Sequence, residues 1–259
     1  MKSSEVDIAI LATDEVRAEY IDTHGDYPDM FTTLLEQAAA DRAEPVSLKL
    51  TTYDARHAQF PEPDAHPAYL ITGSRLSVYD DEAWIEVLAD FLEEVLRAGG
   101  KVIGICFGHQ LMAHFFGGRT EPAEQGWAVG VQENRTVASE PWMSAGAGEG
   151  GDRLNLLASH KDQVTRLPDG AKLIATSDFC PVGGFVVGDQ VLTLQGHPEF
   201  RKDYSRDLMV MRRELIGEEV FELGVASLDK ETDDDKVGHW IIDFVRAGKV
   251  GGEADGGAP

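Results

Sequence analysis

Short, almost wholly apolar segments alternate with amphipathic ones along the first half of the chain, and few architectures accommodate that pattern. Val6-Asp7-Ile8-Ala9-Ile10-Leu11 reads as a first buried strand, the stretch from Pro45 to Leu50 as a second, Ala68 to Gly73 as a third and Lys101 to Ile105 as a fourth. Between them, Asp29 to Arg42 places Met30, Phe31, Leu34, Leu35 and Ala38 on one helical face. Asp81 to Arg97 does the same with Trp84, Val87, Leu88, Phe91, Leu92 and Val95, and Gly99-Gly100 ends it. An apolar helix from Gly108 to Phe116 follows the fourth strand and stops at Gly117-Gly118. Strand–helix alternation of this kind implies an α/β protein whose mostly parallel sheet is covered by helices on both faces.

The second half changes character. Residues 126–138 and 171–195 read as strands, and Gly188-Asp189 within Val186 to Leu192 is a hairpin signal, so antiparallel structure is expected there. Ser144 to Asp152 is Gly-rich but lacks a Lys and a following apolar helix, which makes it a surface loop rather than a phosphate cradle. Helices are expected over 202–216 and 235–247. With neither a repeat nor a linker in view, residues 1–248 read as one domain, and the Gly-rich 249–259 as a disordered tail.

Of 259 residues, 46 are Asp or Glu and 23 are Lys or Arg, giving a formal charge of −23. Such a surface repels phosphate backbones and anionic lipid, which argues against nucleic acid and membranes as partners. No apolar run approaches the ~18–20 residues of a spanning helix, and Met1 to Glu5 leads into a strand rather than a signal-peptide core, so a cytoplasmic location is expected. The acid excess with scarce Lys also suits a salt-adapted host. Two cysteines, Cys106 and Cys180, make no disulfide framework, and each must be weighed as a nucleophile. Cys180 has no His or acid beside it and reads as structural. The eight histidines show no paired metal-ligand spacing, so no metal site is expected.

Gly104-Ile105-Cys106-Phe107-Gly108 lies between a predicted strand and a predicted helix, the context of a nucleophile elbow. Small residues two before and two after let the backbone turn sharply, and the helix start supplies free N–H groups that favour a thiolate and a developing oxyanion. Phe107 N–H is one such donor. Taken alone, Cys106 reads equally as a small buried residue at a strand end. Gln195-Gly196-His197-Pro198-Glu199 follows another predicted strand. There His197 can act as base and Glu199 can hold its other ring nitrogen, although the same residues also read as a solvated turn.

Together, strand–Gly-x-Cys-x-Gly–helix and, about 90 residues later, strand–Gly-His-Pro-Glu resemble the class I glutamine amidotransferase family. Ile71-Thr72-Gly73-Ser74, Gly108-His109-Gln110 and Ser159-His160-Lys161-Asp162-Gln163-Val164 fall in the order of that family's other motifs. The resemblance implies a three-layer, mostly parallel, flavodoxin-like sheet with an antiparallel extension in the second half. It implies Cys106 as nucleophile, His197 as general base and acid, Glu199 as its orienter, and the Ser74 and Phe107 N–H groups as oxyanion hole. Gly73, Gln110, Ser159, His160, Lys161 and Asp162 would bind substrate, and no metal or organic cofactor is implied. Two positions depart from many relatives: Ser74-Arg75 replaces a Gly-Pro type turn, and Lys161 replaces a small or neutral residue. Arg75 reads either as solvent-facing or as a contact for a substrate carboxylate.

Within the family, Ile105 to Gln110, Thr176 to Pro181 and Gln195 to Phe200 are similar to stand-alone GMP-synthase-like members, the γ-glutamyl peptidases among them. Two activities follow. A self-sufficient hydrolase would act on a γ-glutamyl peptide or amine. A glutaminase subunit would deliver ammonia to a synthetase partner, and no stretch after residue 200 reads as the ATP-binding loop of one. The first is preferred. A non-catalytic relative keeping the fold and a different cysteine-elbow hydrolase are the alternatives, disfavoured by the joint presence of Cys106, His197 and Glu199.

Overall fold

A computed structural model describes residues 4–44, 46–144 and 153–248. The Gly-rich segment expected to be a loop lies almost wholly outside the described residues, as does the tail expected over 249–259.

The strands are β1 (Ser4–Ala12), β2 (Val46–Asp54), β3 (Ala68–Ile71), β4 (Lys101–Ile105), β5 (Arg119–Pro122), β6 (Ala128–Thr136), β7 (Arg153–His160), β8 (Asp162–Arg166), β9 (Ala171–Thr176), β10 (Gly184–Val187) and β11 (Val191–Leu194). The helices are α1 (Ala18–His24), α2 (Tyr27–Ala40), α3 (Ala83–Arg97), α4 (Phe107–Phe115), α5 (Lys202–Met211), α6 (Arg213–Ile216), α7 (Glu218–Ser227) and α8 (Asp234–Arg246). Among the described residues one large sheet runs β2-β1-β3-β4-β11-β10-β9-β6-β7, and β5 pairs with β8 separately. From β2 to β11 the neighbours are parallel; from β11 to β7 they are antiparallel. The α/β sheet with an antiparallel second half is therefore as the pattern implied.

Side-chain alternation along the central strands divides the core into two layers. Ile103 and Ile105 of β4 join Phe31 and Leu35 of α2 and Trp240 and Ile241 of α8 on one face. Val102 joins Leu88, Leu92 and Val95 of α3 and Leu111 of α4 on the other. Helix α2 starts at a capping box, where Asp26 accepts from the Tyr27 N–H and Asp29 Oδ2 accepts from the Asp26 N–H at 2.9 Å. In α3 the buried positions Ile85, Leu88, Ala89, Leu92 and Val95 follow i, i+3, i+4 and i+7 spacing. Val87, expected to face inward, falls off that stripe and is exposed.

A third cluster, absent from the sequence expectation, joins Val129, Val131 and Leu157 of the antiparallel half to Tyr204, Leu208 and Met209 of α5. The stretch expected as one helix over 202–216 divides into α5 and α6 at Arg212, and α7 follows directly.

Candidate active site

The carboxyl ends of β3, β4 and β11 lie side by side, with Ile71 opposite Gly104 and Leu194 opposite Ile105, so the residues that follow each strand meet above one sheet edge. This is where open α/β sheets place their ligands. Cys106 leaves β4 with φ +52° and ψ −96°, one of two non-glycine residues with positive φ among those described. Its backbone is tied at both ends: its N–H donates to the Leu194 carbonyl at 2.9 Å, and its carbonyl accepts from the Gln110 N–H at 3.0 Å. The elbow glycines are required by close approach. A Cβ on Gly104 would sit 2.6 Å from the Gly108 carbonyl, and one on Gly108 would sit 2.8 Å from Ile71 Cβ. No side chain caps α4 at Cys106, so the first-turn N–H groups, including that of Phe107, have no intrahelical partner.

His197 reaches the elbow from β11. Its N–H donates to the Leu157 carbonyl at 2.8 Å, an isolated bridge to β7 that fixes the turn, and a Cβ on Gly196 would collide with Leu156 at 2.6 Å. Nδ1 of His197 lies 2.7 Å from Glu199 Oε1, and both side chains are buried. The imidazole stacks on Phe200 with ring centroids 3.9 Å apart and planes 7° from parallel. Burial opposes a charge on this ring, but the Glu199 carboxylate and the Cys106 sulfur outweigh it and lift the imidazole pKa to about 10. With Nδ1 committed to Glu199, Nε2 is the atom that faces Cys106.

Gly73 marks how tightly the three strand ends converge. A Cβ there would lie 2.7 Å from His197 Cε1 and 3.7 Å from Cys106 Cβ. The turn that carries Gly73 and Ser74 is held from β1, because Thr13 Oγ1 donates to the Gly73 carbonyl at 2.9 Å and Asp14 Oδ2 accepts from the Arg75 N–H at 2.8 Å. The Arg75 guanidinium closes on Asp14 Oδ1 at 2.7 Å, with half its side chain exposed.

The segment from Ser159 to Asp162 approaches from β7 and β8. Gln110 Nε2 donates to the Asp162 carbonyl at 2.8 Å and faces Gln195 Oε1 at 3.2 Å. His160 Nδ1 donates to the same carbonyl at 3.0 Å, and burial together with the charge of His197 holds its pKa down near 4. The Asp162 carboxylate accepts from Ser77 Oγ through Oδ2, while Oδ1 is buried with no partner among the described residues. Thus Cys106, Phe107, His197, Glu199, Gly73, Gln110, His160 and Asp162 cluster. Ser159 and Lys161 lie toward a neighbouring cavity, Ser159 Oγ accepting from Arg212 at 2.7 Å. Cys180 donates its S–H to the Val182 carbonyl, and burial pushes its thiol up to about 12, so it stays protonated. Among the described residues no three His, Cys, Asp or Glu side chains are grouped as a metal would need. None of the helices there is long and apolar enough to cross a membrane.

The family model described as "Glutamine amidotransferase class-I" matches residues 24–215. The chain belongs to this family. A glutamine amidotransferase-like protein of Schizosaccharomyces pombe is 29% identical over 92% of this chain and 98% of its own length. Gamma-glutamyl peptidase 4 of Arabidopsis thaliana is 30% identical, with 83% and 84% of the two chains covered. A glutamine-hydrolyzing GMP synthase subunit of Methanosphaera stadtmanae is 34% identical over a shorter stretch, 44% of this chain and 60% of its own. Among solved structures, a glutamine amidotransferase from Thermotoga maritima superposes with a TM-score of 0.69 at 19% identity, covering 93% of this chain and 99% of that one.

Two parts of the candidate site escaped the sequence expectation. Gln195 directs Nε2 at Cys106 Sγ from 3.6 Å, a donor at the reacting atom to which its place in the Gln195-Gly196-His197 run assigns no role. Thr13 and Asp14 position the Ser74 turn across some 60 residues of sequence, and only their place directly after the first strand hints at it. His109, next to Gln110, is turned away: it is wholly buried between Thr193 and the Val182 carbonyl, and burial holds its pKa near 3.

Proposed function

We propose that the protein is a cysteine-dependent hydrolase of γ-glutamyl amide bonds, working alone on γ-glutamyl peptides or amines. The observation that carries this reading is the buried His197–Glu199 pair aimed at a strained Cys106, with the imidazole held in its charged form. A cysteine nucleophile of this kind reacts as the thiolate. The thiolate attacks the γ-carbonyl, and the Ser74 and Phe107 N–H groups receive the oxyanion. On collapse the C–N bond breaks, His197 Nε2 gives its proton to the departing amine, and a γ-glutamyl thioester remains on Cys106. The neutral imidazole then takes a proton from water, whose oxygen adds to the thioester. Glutamate leaves, and Cys106 returns as thiolate beside imidazolium. Glu199 keeps the ring oriented in both half-reactions, and Gly73, Gln110, His160 and Asp162 surround the glutamyl end.

Self-sufficiency is supported by the extent of the likenesses, since a γ-glutamyl peptidase matches over 83% of the chain and the GMP synthase subunit over 44%. The higher identity of that shorter match favours the second reading, a glutaminase subunit serving a separate synthetase. In either reading residues 1–248 act as one domain in the cytoplasm, and the charge of −23 suits a salt-rich one. The test is glutamate release by the purified protein from glutamine and a panel of γ-glutamyl peptides and amines, with Cys106→Ala as blank. Faster turnover of a γ-glutamyl peptide or amine than of glutamine is expected. Turnover of glutamine alone, and only with a synthetase present, would transfer the assignment to the second reading.

A further inference from the structure

Beside the site lies a cavity of about 310 Å³, at the lower end of the roughly 300–1,000 Å³ range of small-molecule pockets. In a chain with a formal charge of −23, its wall is unexpectedly cationic: Arg17, Arg75, Lys161 and Arg212 face it, against Asp14 and Glu15. Both carboxylates are already engaged. Asp14 holds the Arg75 guanidinium and backbone, and Glu15 pairs with Arg56 at 3.3 Å. Two of the cations are not engaged by any acid among the described residues. Neither Lys161 nor Arg212 forms an ion pair there, and half-buried Arg212 is instead steadied by Ser159 Oγ at 2.7 Å and by the Trp127 ring, 5.5 Å below its guanidinium.

The cavity is linked to the reacting centre through one aromatic ring, and in the hydrolase reading an amine departs beside His197. His197 protonates that amine, and Phe200, stacked on the His197 ring, packs in turn against Tyr27 at 6.1 Å and Tyr204 at 4.9 Å, both of which line the cavity. Arg75 directly follows Ser74 of the oxyanion turn, and Lys161 lies between His160 and Asp162 of the substrate-side segment. The cations therefore line the cavity from the oxyanion turn, the β7–β8 connection and the residue between α5 and α6.

We propose that this cavity is a leaving-group subsite, in which Arg212 and Lys161 bind the carboxylate of an amino-acid or peptide amine released from its γ-glutamyl bond. The inference rests on the hydrolase reading above and narrows its substrate class to γ-glutamyl compounds whose amine carries a carboxylate. Glutamine, which releases ammonia, leaves the cavity unfilled. Arg212 suits the role because its fork can grip a carboxylate through two N–H donors while Ser159 and Trp127 hold it in place.

The deciding experiment compares γ-glutamyl-alanine with γ-glutamyl-alaninamide, two substrates that differ only in the terminal carboxylate. The wild-type protein is expected to favour the acid at least tenfold in kcat/KM. Arg212→Gln is expected to reduce that preference at least fivefold, Arg212→Lys to keep most of it, and Arg212→Glu to reverse it. Because each preference is a ratio within one protein, partial unfolding of a variant cancels. Equal use of acid and amide by the wild-type protein, or a preference unmoved by Arg212→Gln, would overturn the subsite while leaving the hydrolase intact. Absence of Cys106-dependent glutamate release from either compound would overturn the hydrolase reading, and the subsite with it.

Discussion

Adding one methyl group at Gly73 isolates the geometry of the site from its chemistry. The backbone there has no positive φ, so Gly73→Ala brings no strain of its own. Its Cβ would, however, stand 2.7 Å from His197 Cε1, whereas carbon atoms rest at about 3.5–4.0 Å. The ring must therefore retreat by roughly 1 Å, and its other contacts oppose the movement: Phe200 lies stacked at 3.9 Å and Glu199 grips Nδ1 at 2.7 Å. A displacement of about 1 Å in a catalytic group costs on the order of 100-fold in rate, or about 2.7 kcal/mol of barrier. Overpacking should cost a further ~1–3 kcal/mol of stability. We expect kcat for the best γ-glutamyl substrate to fall about 100-fold, with a circular-dichroism spectrum unchanged. Gly170→Ala is the control, since Gly170 has a φ of +73° but nothing within 4 Å of an added Cβ. It should lose stability and keep its kcat. A Gly73→Ala enzyme within about threefold of wild type would refute the claim that His197 is held without slack.

Two further outcomes follow from the charges in the site. Glu199→Gln removes the carboxylate that helps hold the His197 imidazole at about 10, so its pKa should fall toward the ordinary histidine value and kcat should drop by ~100-fold or more; ring NMR against pH reads the first and steady-state kinetics the second, and an unmoved His197 titration would exclude Glu199 as its partner. For stability, His197 has a folded pKa above its unfolded value of 6.5, so its contribution is complete below about 6.5 and is lost as pH rises toward about 10. His160 and His109 have the opposite sign: their folded pKa values near 4 and 3 mean that stability is present above about 6.5 and is lost as pH falls through that window. Urea midpoints should therefore decline on both sides, and His197→Gln should remove the alkaline decline and, by deleting the charge that faces His160, lessen the acid one; a variant that still loses stability between pH 7 and 10 as the wild type does would refute the assignment.

Local elements of the parallel half were legible because their causes are local. The run Lys101 to Ile105 is the strand β4 from end to end, and the predicted helix after it begins one residue early, at Phe107, because Cys106 takes up the turn. Gly188-Asp189 makes the expected hairpin, with β10 and β11 antiparallel on either side. The boundaries that slipped were those set by distant partners. Strand β7 has an apolar run, Leu154 to Ala158, interrupted by buried Asn155, whose N–H and side-chain amide bond to Asp233 and the Glu231 carbonyl some 77 residues away. Helix α7 carries exposed Leu223 and a buried Gly224 that packs on Val129, so its apolar stripe points to no face until β6 is in position.

The same division runs through the site. Which residue types stand at the elbow, and that small residues must flank Cys106, is written in five consecutive positions, since the turn is made by the backbone of those residues themselves. That His197 follows a strand and is trailed by Pro198 and Glu199 is equally local. Tertiary structure alone decided that β11 lies beside β4, which brings His197 to Cys106 across 91 residues. It alone gave Gln195 a donor's place at the sulfur, turned His109 into the core, and left Arg212 and Lys161 without an acid among the described residues of an acidic chain. Strand and helix formation follow from neighbours along the chain, whose spacing is fixed by covalent geometry. Pairing, burial and charge environment depend on distances between segments, which exist only after the sheet has closed.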